Sequence, residues 1–121
     1  MIRGKFIDKK IVLPVRFLLS QEMIFDVEFV VDTGFNGYLT LPVGAVGAMN
    51  LPLFSTTATI LADGSQSLTP THLATIDWHG EEVIVPVLAM GGKPLLGTGL
   101  LSQCRLLVEF TENGAIELEK L

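Results

Sequence analysis

The sequence predicts a small all-β protein on two grounds: segments in which apolar and polar residues alternate, and tight-turn dipeptides between those segments. Ile24–Val31 is such a segment, with Asp26 and Glu28 on the face opposite its phenylalanine and valine side chains. This alternation is typical of a half-buried strand. Asp63-Gly64 and Asn113-Gly114 are dipeptides typical of hairpin turns. The sequence has no long amphipathic pattern of helical period, so we expect strands joined mainly by hairpins.

The remaining elements follow from the same patterns. Gln21-Glu22 lies between two apolar runs and predicts a turn, and Pro14 indicates that its strand is an edge strand or contains a bulge. Short helices are predicted over 41–50, where Pro42 suits the first helical position, and over 99–103. Further strands are predicted over residues 11–19, 55–61, 67–78, 82–89, 105–110 and 115–119. Together these elements predict a mainly antiparallel protein that closes on itself as a sandwich or barrel.

Composition excludes several classes of protein. The chain has 121 residues, which fits one domain over 1–121. Its hydrophobic fraction is 49% and its charged fraction 17%, values that exclude intrinsic disorder. The net charge is −5 and the eight lysines and arginines are scattered, so we expect no nucleic-acid partner. Cys104 is the one cysteine, which excludes an intrachain disulfide and a cysteine-built metal site.

A long uncharged stretch raises the question of a membrane span. Residues 33–62 contain no Asp, Glu, Lys, Arg or His, but they include Pro42, Pro52 and a Ser/Thr cluster. A spanning helix needs about 20 predominantly apolar residues, so this stretch is interpreted as strands and turns. Residues 1–8 carry charges and no apolar signal core. We therefore expect a soluble, cytoplasmic protein with no membrane partner.

One motif carries candidate chemistry, and it lies where a predicted strand ends. Val30-Val31 is followed by Asp32, Thr33 and Gly34. A carboxylate at the end of an apolar strand costs free energy unless hydrogen bonds stabilise its charge. Thr33 offers a hydroxyl, and Gly34 permits a tight turn whose N–H groups point at the carboxylate. The alternative is an Asx-turn at a strand end, because Asp-Thr-Gly also occurs by chance.

Three segments, in order along nearly the whole chain, resemble the signatures of retropepsin-like aspartic proteases. Residues 30–34 match two hydrophobic residues followed by Asp-Thr-Gly, although Phe35 is larger than the alanine usual in the family. Leu61-Ala62-Asp63-Gly64-Ser65 falls where the family has the tip of its flap, a hairpin that closes over the substrate. Leu95-Leu96-Gly97 matches the hydrophobic-hydrophobic-Gly signature that runs into a short helix. Gly99 departs from the Asp or Asn that members often carry there, near the dimer contacts of that helix.

The resemblance implies a closed antiparallel barrel of the acid-protease type with one or two short helices. It also implies an aspartic endopeptidase that acts on a peptide or protein substrate without a cofactor or metal. The residues it implicates are the catalytic Asp32, Thr33 and Gly34, the flap residues Ala62, Asp63, Gly64 and Ser65, and the structural supports Leu96 and Gly97.

A homodimer follows from the number of motifs. Hydrolysis by this mechanism needs two carboxylates that share one proton. The chain contains one Asp-Thr-Gly, since Asp8, Asp26, Asp63 and Asp77 are not followed by Thr-Gly or Ser-Gly. Two copies related by a two-fold axis would supply two Asp32 carboxylates. The resemblance further implies that the terminal strands contribute to the interface.

Two other classes of function stay open on the sequence. One is a non-catalytic dimerisation or peptide-binding module on the same fold, because a fold does not fix a function. The other is a structural β-domain in which Asp-Thr-Gly is incidental. The intact Asp32-Thr33-Gly34 favours the enzyme, because a site without activity has no physical reason to keep an unpaired acid.

Overall fold

Ten strands form one mixed sheet in a computed structural model that describes residues 1–60 and 62–121. Leu61, the first residue of the segment predicted to form the flap tip, lies outside the described residues. The strands are β1 (Ile2–Ile7), β2 (Lys10–Leu18), β3 (Ile24–Val31), β4 (Leu39–Leu41), β5 (Leu53–Ile60), β6 (Gln66–Trp78), β7 (Glu81–Ala89), β8 (Leu95–Leu96), β9 (Cys104–Val108) and β10 (Gly114–Lys120). The helices are α1 (Val43–Ala48) and α2 (Thr98–Leu101), with a 3-10 turn at Ser20–Glu22.

Most of the predicted elements are confirmed. The alternating segment forms β3 with the predicted bounds, and its Phe29 is fully buried. The predicted turn at 21–22 lies within the 3-10 turn between β2 and β3. Both predicted helices are shorter than expected, because Leu41 belongs to β4 and Ser102 ends α2. Among the described residues, no helix is long and apolar enough to cross a membrane.

The chain is nearly all-β, as predicted, and its sheet is mainly antiparallel but mixed, because two of the ten strand pairings among the described residues are parallel. β8 pairs in parallel with β3 and antiparallel with β4, and β4 pairs in parallel with β7. β4 and β8 span three and two residues, too few for alternation to reveal them. The order of the sheet is β5-β6-β7-β4-β8-β3-β2-β1-β10-β9, and β6 also pairs with β2. That added pairing links β2, β3, β8, β4, β7 and β6 into a ring of hydrogen-bonded neighbours.

Pro14 lies inside β2, and β2 is not an edge strand, so this part of the prediction is wrong. β2 pairs with β1 over residues 10–12 and with β6 at residues 16–17. Pro14 therefore occupies the gap between two partners, opposite Glu28 of β3. A missing N–H costs no sheet hydrogen bond where the strand has no neighbour on that side.

The buried side chains form two clusters. The main cluster includes Phe17 and Phe29, whose rings stack with centroids 6.0 Å apart, and also Leu96 of β8. The small cluster consists of Leu13, Ile116 and Leu118, with half-buried neighbours from β1, β9 and the end of β3. Leu101 of α2 packs against both clusters. α2 and β8 are thereby anchored between the two parts of the core, which positions the loop that follows β3.

Candidate active site

Asp32 follows β3 directly and is held through its backbone and its side chain. Its N–H donates to the Leu96 carbonyl at 2.9 Å, which continues the parallel pairing of β3 with β8. Its Oδ1 accepts a hydrogen bond from the Gly34 N–H at 2.9 Å. The side chain of Asp32 is half-buried, while Thr33 and Gly34 are exposed. The carboxylate thus has a fixed orientation at the surface of the protomer.

The loop from Asp32 to Tyr38, called here the Asp32 loop, is fixed by the start of α2. β3 and β4 flank the two residues of β8, and the Asp32 loop connects these flanking strands. Three consecutive N–H groups donate to loop carbonyls: Gly97 to Tyr38 at 2.9 Å, Thr98 to Phe35 at 2.8 Å and Gly99 to Gly37 at 2.9 Å. The Thr98 hydroxyl also donates to the Phe35 carbonyl at 3.3 Å. Residues 97–99, at and after the hydrophobic-hydrophobic-Gly motif, therefore hold the loop that begins with Asp32-Thr33-Gly34.

Close backbone approach explains both glycines of this segment. A Cβ at Gly97 would overlap the Gly37 carbonyl oxygen and lie 2.6 Å from the Phe35 carbonyl oxygen. A Cβ at Gly99 would lie 2.7 Å from that Gly37 oxygen and 2.9 Å from the Asn36 carbonyl oxygen. Neither glycine has a positive φ, so space and not backbone conformation requires them. The departure from Asp or Asn at Gly99 thus has a physical reason in this chain.

Two threonines that sequence reasoning missed also support the site. Thr40 is buried, and its hydroxyl accepts from the Leu95 N–H at 3.1 Å and donates to the Lys93 carbonyl at 3.4 Å. It therefore joins β4 to β8. Thr98 joins α2 to the Asp32 loop as described above. In the sequence, only the position of Thr40 between two leucines indicated that its hydroxyl would be buried and need a partner. Nothing in the sequence indicated a supporting role for Thr98.

The predicted flap residues lie at the tip of a hairpin. β5 and β6 pair up to Ile60↔Gln66, whereas β7 pairs with β6 only from Thr71 onward. The outer part of the hairpin is therefore a two-stranded ribbon. Ala62, Asp63, Gly64 and Ser65 at its tip are exposed, and among the described residues no hydrogen bond joins them to the Asp32 loop. The structure thus brings Asp32, Thr33, Gly34, Leu96 and Gly97 together and places the tip residues on a separate element.

The turn at the ribbon tip depends on pH through Asp63. Its Oδ1 accepts from the Ser65 hydroxyl at 2.5 Å and the Ser65 N–H at 2.9 Å, which lowers the pKa of Asp63 from its ordinary value of 3.8, the hydroxyl most. Because folding lowers the pKa of Asp63, these hydrogen bonds stabilise the turn fully at pH values above the ordinary pKa of 3.8. The stabilisation is lost as the pH falls through the lower pKa that Asp63 has in the folded protein. Ser65→Ala should raise the pKa of Asp63, as measured by NMR titration of its carboxyl carbon, whereas Ser55→Ala should not. An unchanged titration in Ser65→Ala would contradict this hydrogen bond.

The ring of Phe35 occupies the space that a side chain at position 37 would need, so its position requires a glycine there. A Cβ at Gly37 would lie 2.5 Å from the ring of Phe35, and its three nearest atoms would all belong to that ring. We expect Gly37→Ala to destabilise the protein by about 1–3 kcal/mol, and to cost much less in a Phe35→Ala background. Urea denaturation of the four proteins of this cycle measures the coupling. Gly97→Ala is the control: backbone oxygens obstruct it, so Phe35→Ala should not rescue it.

The histidines and the cysteine serve local structure. His72 Nδ1 hydrogen-bonds with the Leu51 carbonyl at 2.9 Å, and Cys104 Sγ lies 3.7 Å from His79 Nε2. Burial lowers the pKa of His79 and raises the pKa of the half-buried Cys104 thiol. Among the described residues, no group of three His, Cys, Asp or Glu side chains is placed to hold a metal ion.

Comparisons with known proteins give one structural likeness. No protein-family model matches the chain, and no curated protein matches it. Among solved structures, the chain is similar to the crystal structure of a retropepsin-like aspartic protease from Rickettsia conorii. The TM-score is 0.50 at 15% sequence identity, over 97% of this chain and 92% of that one. The likeness at this identity shows that the fold is of the retropepsin-like type.

Proposed function

We propose that the protein is an aspartic endopeptidase whose active site forms between two copies of the chain. The observation that carries the proposal is the placement of Asp32: its carboxylate is fixed at a strand end, half-buried, on a loop held by three amides of residues 97–99. The retropepsin-like fold supports the same interpretation. Local order of this kind is what a catalytic carboxylate requires, because productive geometry must exist before the substrate binds.

Two copies are required because each chain contributes one Asp-Thr-Gly. Two carboxylates held close together cannot both ionise, so they share one proton. A two-fold axis beside Asp32 would produce this pair from identical subunits. Asp32 is partly accessible and Thr33 is exposed, and the Thr33 hydroxyl makes no hydrogen bond to another described residue of its own protomer. In the proposed dimer this hydroxyl bonds to the Asp32 loop of the second copy and joins the two loops.

The proposed reaction uses one water molecule. The ionised Asp32 takes a proton from the water as its oxygen attacks the peptide carbonyl carbon, and the protonated Asp32 donates its proton to the carbonyl oxygen. The Asp32 that took the water proton then donates it to the nitrogen as the C–N bond of the tetrahedral intermediate breaks, and the other Asp32 takes back a proton from a hydroxyl of the intermediate. This step releases an acid and an amine and restores both carboxyl groups. Gly34 supplies the turn, and Leu96 and Gly97 position the loop. No step requires a metal or a cofactor.

The β5–β6 ribbon is proposed to cover the substrate. Ala62, Asp63, Gly64 and Ser65 form its tip, and the backbone of a two-stranded ribbon can pair with a peptide that binds as an extended strand.

The single domain over 1–121, the cytoplasmic location and the absence of nucleic-acid and membrane partners remain predictions that belong to this proposal.

Sedimentation and peptide digestion test the proposal together. We expect a species of about twice 13.1 kDa that cleaves members of a peptide library at acidic to neutral pH and is inhibited by statine-type compounds. A strictly monomeric species that still cleaves peptides would contradict the shared site. A dimer that binds peptides without cleaving them would instead support the non-catalytic binding module.

A further inference from the structure

A cavity of about 320 Å³ lies between α1 and the part of β6 where the β5–β6 ribbon joins the sheet. It is called here the α1 cavity. Its apolar walls are formed by Val43 and Val46 of α1, Leu51, Pro70 of β6 and Ala89 of β7. Cavities that hold small molecules enclose about 300–1,000 Å³, and an apolar cavity of about 150 Å³ already admits benzene. The α1 cavity therefore has room for a substituted ring.

One histidine gives this cavity a hydrogen-bond acceptor. His72 lines the α1 cavity and is half-buried, and its Nδ1 lies 2.9 Å from the Leu51 carbonyl oxygen. A carbonyl oxygen only accepts hydrogen bonds, so Nδ1 carries the hydrogen, and Nε2 of the neutral imidazole is left as an acceptor. Within the described part of the chain, Nε2 has no hydrogen-bond partner. The Leu51 carbonyl thus fixes the tautomer in which Nε2 can accept a hydrogen bond from a ligand.

The rest of the lining selects an apolar ligand. Among the described residues, no charged side chain borders the α1 cavity, and Asn50 is its other polar side chain, exposed at the surface. A ligand that fills the cavity displaces water from Nε2, and it loses affinity if it offers no hydrogen bond in exchange. Small-molecule sites combine apolar walls with a few placed polar groups in this way. The lining therefore favours an apolar molecule with one hydrogen-bond donor.

We propose that the α1 cavity binds a small phenol whose ring contacts the apolar walls and whose hydroxyl donates to His72 Nε2. A phenol carries its O–H donor on a rigid ring, so it loses little conformational freedom on binding. The inference goes beyond the proposed function and does not depend on it. None of the residues of the Asp32 loop or of 95–99, all of which the structure describes, lines the cavity.

The α1 cavity touches the base of the ribbon. Pro70 pairs with Thr56 of β5, and β7 pairs with β6 only from Thr71 onward. His72 pairs with strands on both of its sides and therefore lies inside the sheet. A phenol between α1 and these two residues of β6 bridges the helix and the ribbon base. The proposed ligand therefore binds at the base of the element proposed to cover the substrate, and not at Asp32.

A second apolar cavity in the protein provides an internal comparison. It encloses about 290 Å³, shares Asn50 and Leu51 with the α1 cavity, and is lined also by Leu18, Leu73 and Ile84. Among the residues that the structure describes, none that lines this second cavity is a histidine. A ligand that requires only apolar volume should enter both cavities, whereas a phenol bound to Nε2 should prefer the α1 cavity.

An NMR titration with p-cresol tests the proposal. At about pH 8, where imidazoles are neutral, p-cresol should shift the methyl resonances of Val43, Val46 and Ala89 more than those of Leu18 and Ile84. We expect a dissociation constant in the millimolar range, as is usual for a ligand of this size. The matched probe is 4-methylanisole, which has the same ring with a methoxy group in place of the hydroxyl. It should bind about tenfold more weakly, because it has no donor for Nε2.

His72→Asn is the matched variant. The amide nitrogen of asparagine can take the place of Nδ1 and donate to the Leu51 carbonyl, but no atom of asparagine replaces Nε2. Binding of p-cresol should weaken about tenfold in this variant, whereas binding of 4-methylanisole should not change. His79→Asn is the control, because His79 lies beside Cys104 and not in the α1 cavity. It should leave both affinities unchanged.

A measurement on the unmodified protein covers the case in which His72→Asn does not fold. The nitrogen-15 resonance of His72 Nε2 should move as p-cresol binds, because the nitrogen then accepts a hydrogen bond. At equal occupancy of 4-methylanisole it should move much less. An Nε2 resonance that responds equally to both probes would contradict the hydrogen bond.

The outcomes are separate from those of the peptidase experiments. A tenfold preference for p-cresol that His72→Asn removes supports the site. Equal affinity for the two probes overturns the hydrogen bond to Nε2, and shifts at Leu18 and Ile84 as large as those in the α1 cavity overturn the choice of cavity. Absence of binding by both probes overturns the proposal altogether. None of these results depends on peptide cleavage, so the site and the proposed function stand or fall separately.

Discussion

Asp32→Asn should abolish peptide hydrolysis while the fold and the dimer persist. Asparagine keeps the shape of the side chain, and its Oδ1 can still accept the hydrogen bond that the Gly34 N–H donates at 2.9 Å. It cannot take a proton from water or hold the shared proton, so kcat/KM should fall by about a thousandfold or more. The melting temperature and the sedimentation of the variant verify that the loss is chemical.

Asp26→Asn is the matched control. Asp26 lies on β3, the strand that Asp32 follows, is exposed, and accepts hydrogen bonds from the Arg16 guanidinium at 2.9 and 3.1 Å. That pairing lowers the pKa of Asp26, but an exposed ion pair contributes little to stability. We expect unchanged peptidase activity in this variant. Full activity in purified Asp32→Asn would end the aspartic-protease interpretation.

Mixing the wild type with Asp32→Asn distinguishes a shared site from two separate sites. If the two chains are refolded together in equal amounts, about one quarter of the dimers carry two aspartates. A shared site therefore leaves about one quarter of the activity of an equal total of wild type, whereas separate sites leave about half. An activity of one half would show that each subunit works alone.

The prediction of the fold succeeded where strands are long enough to display a period. β3 alternates over eight residues, and the strands predicted over 67–78 and 82–89 are present as β6 and β7. β4 and β8 are too short to be detected, yet their parallel pairings make the sheet mixed, and β8 lies between β3 and β4, the strands that the Asp32 loop connects. Their pairing depends on contacts between residues that are far apart in sequence, which no local pattern encodes. Pro14 was misjudged for the same reason.

The candidate site was predictable only as separate motifs. An acid at the end of an apolar strand drew attention to Asp32, and a hydrophobic pair before a glycine drew attention to Gly97. The three amide hydrogen bonds that join these segments, and the contact that requires Gly99, exist only in three dimensions. The sequence shows that Thr40 is a polar residue between two apolar ones, but it does not show that its partners are Leu95 and Lys93. The sequence thus predicts which segments matter better than how they are joined.

Gly97→Val should cause the largest loss of stability among simple changes near the site. Any Cβ at this position overlaps the Gly37 carbonyl oxygen, and the ring and carbonyl oxygen of Phe35 lie 2.6 Å away. Gly97 is buried, and its N–H also donates to the Tyr38 carbonyl at 2.9 Å, so the segment cannot withdraw without losing that bond. We expect a loss of about 3 kcal/mol or more in the free energy of unfolding.

Gly47→Val is the control for the glycine-to-valine change itself. Gly47 is exposed on α1, and a Cβ there would meet no atom within 4 Å. Urea denaturation should give a much smaller change for Gly47→Val than for Gly97→Val. A protein with Gly97→Val that still folds should be inactive, since the Asp32 loop must move to admit the side chain and the two carboxylates would lose their alignment. Unchanged stability together with unchanged activity would show that residues 97–99 do not hold the loop. The three amide hydrogen bonds would then have no role in positioning Asp32.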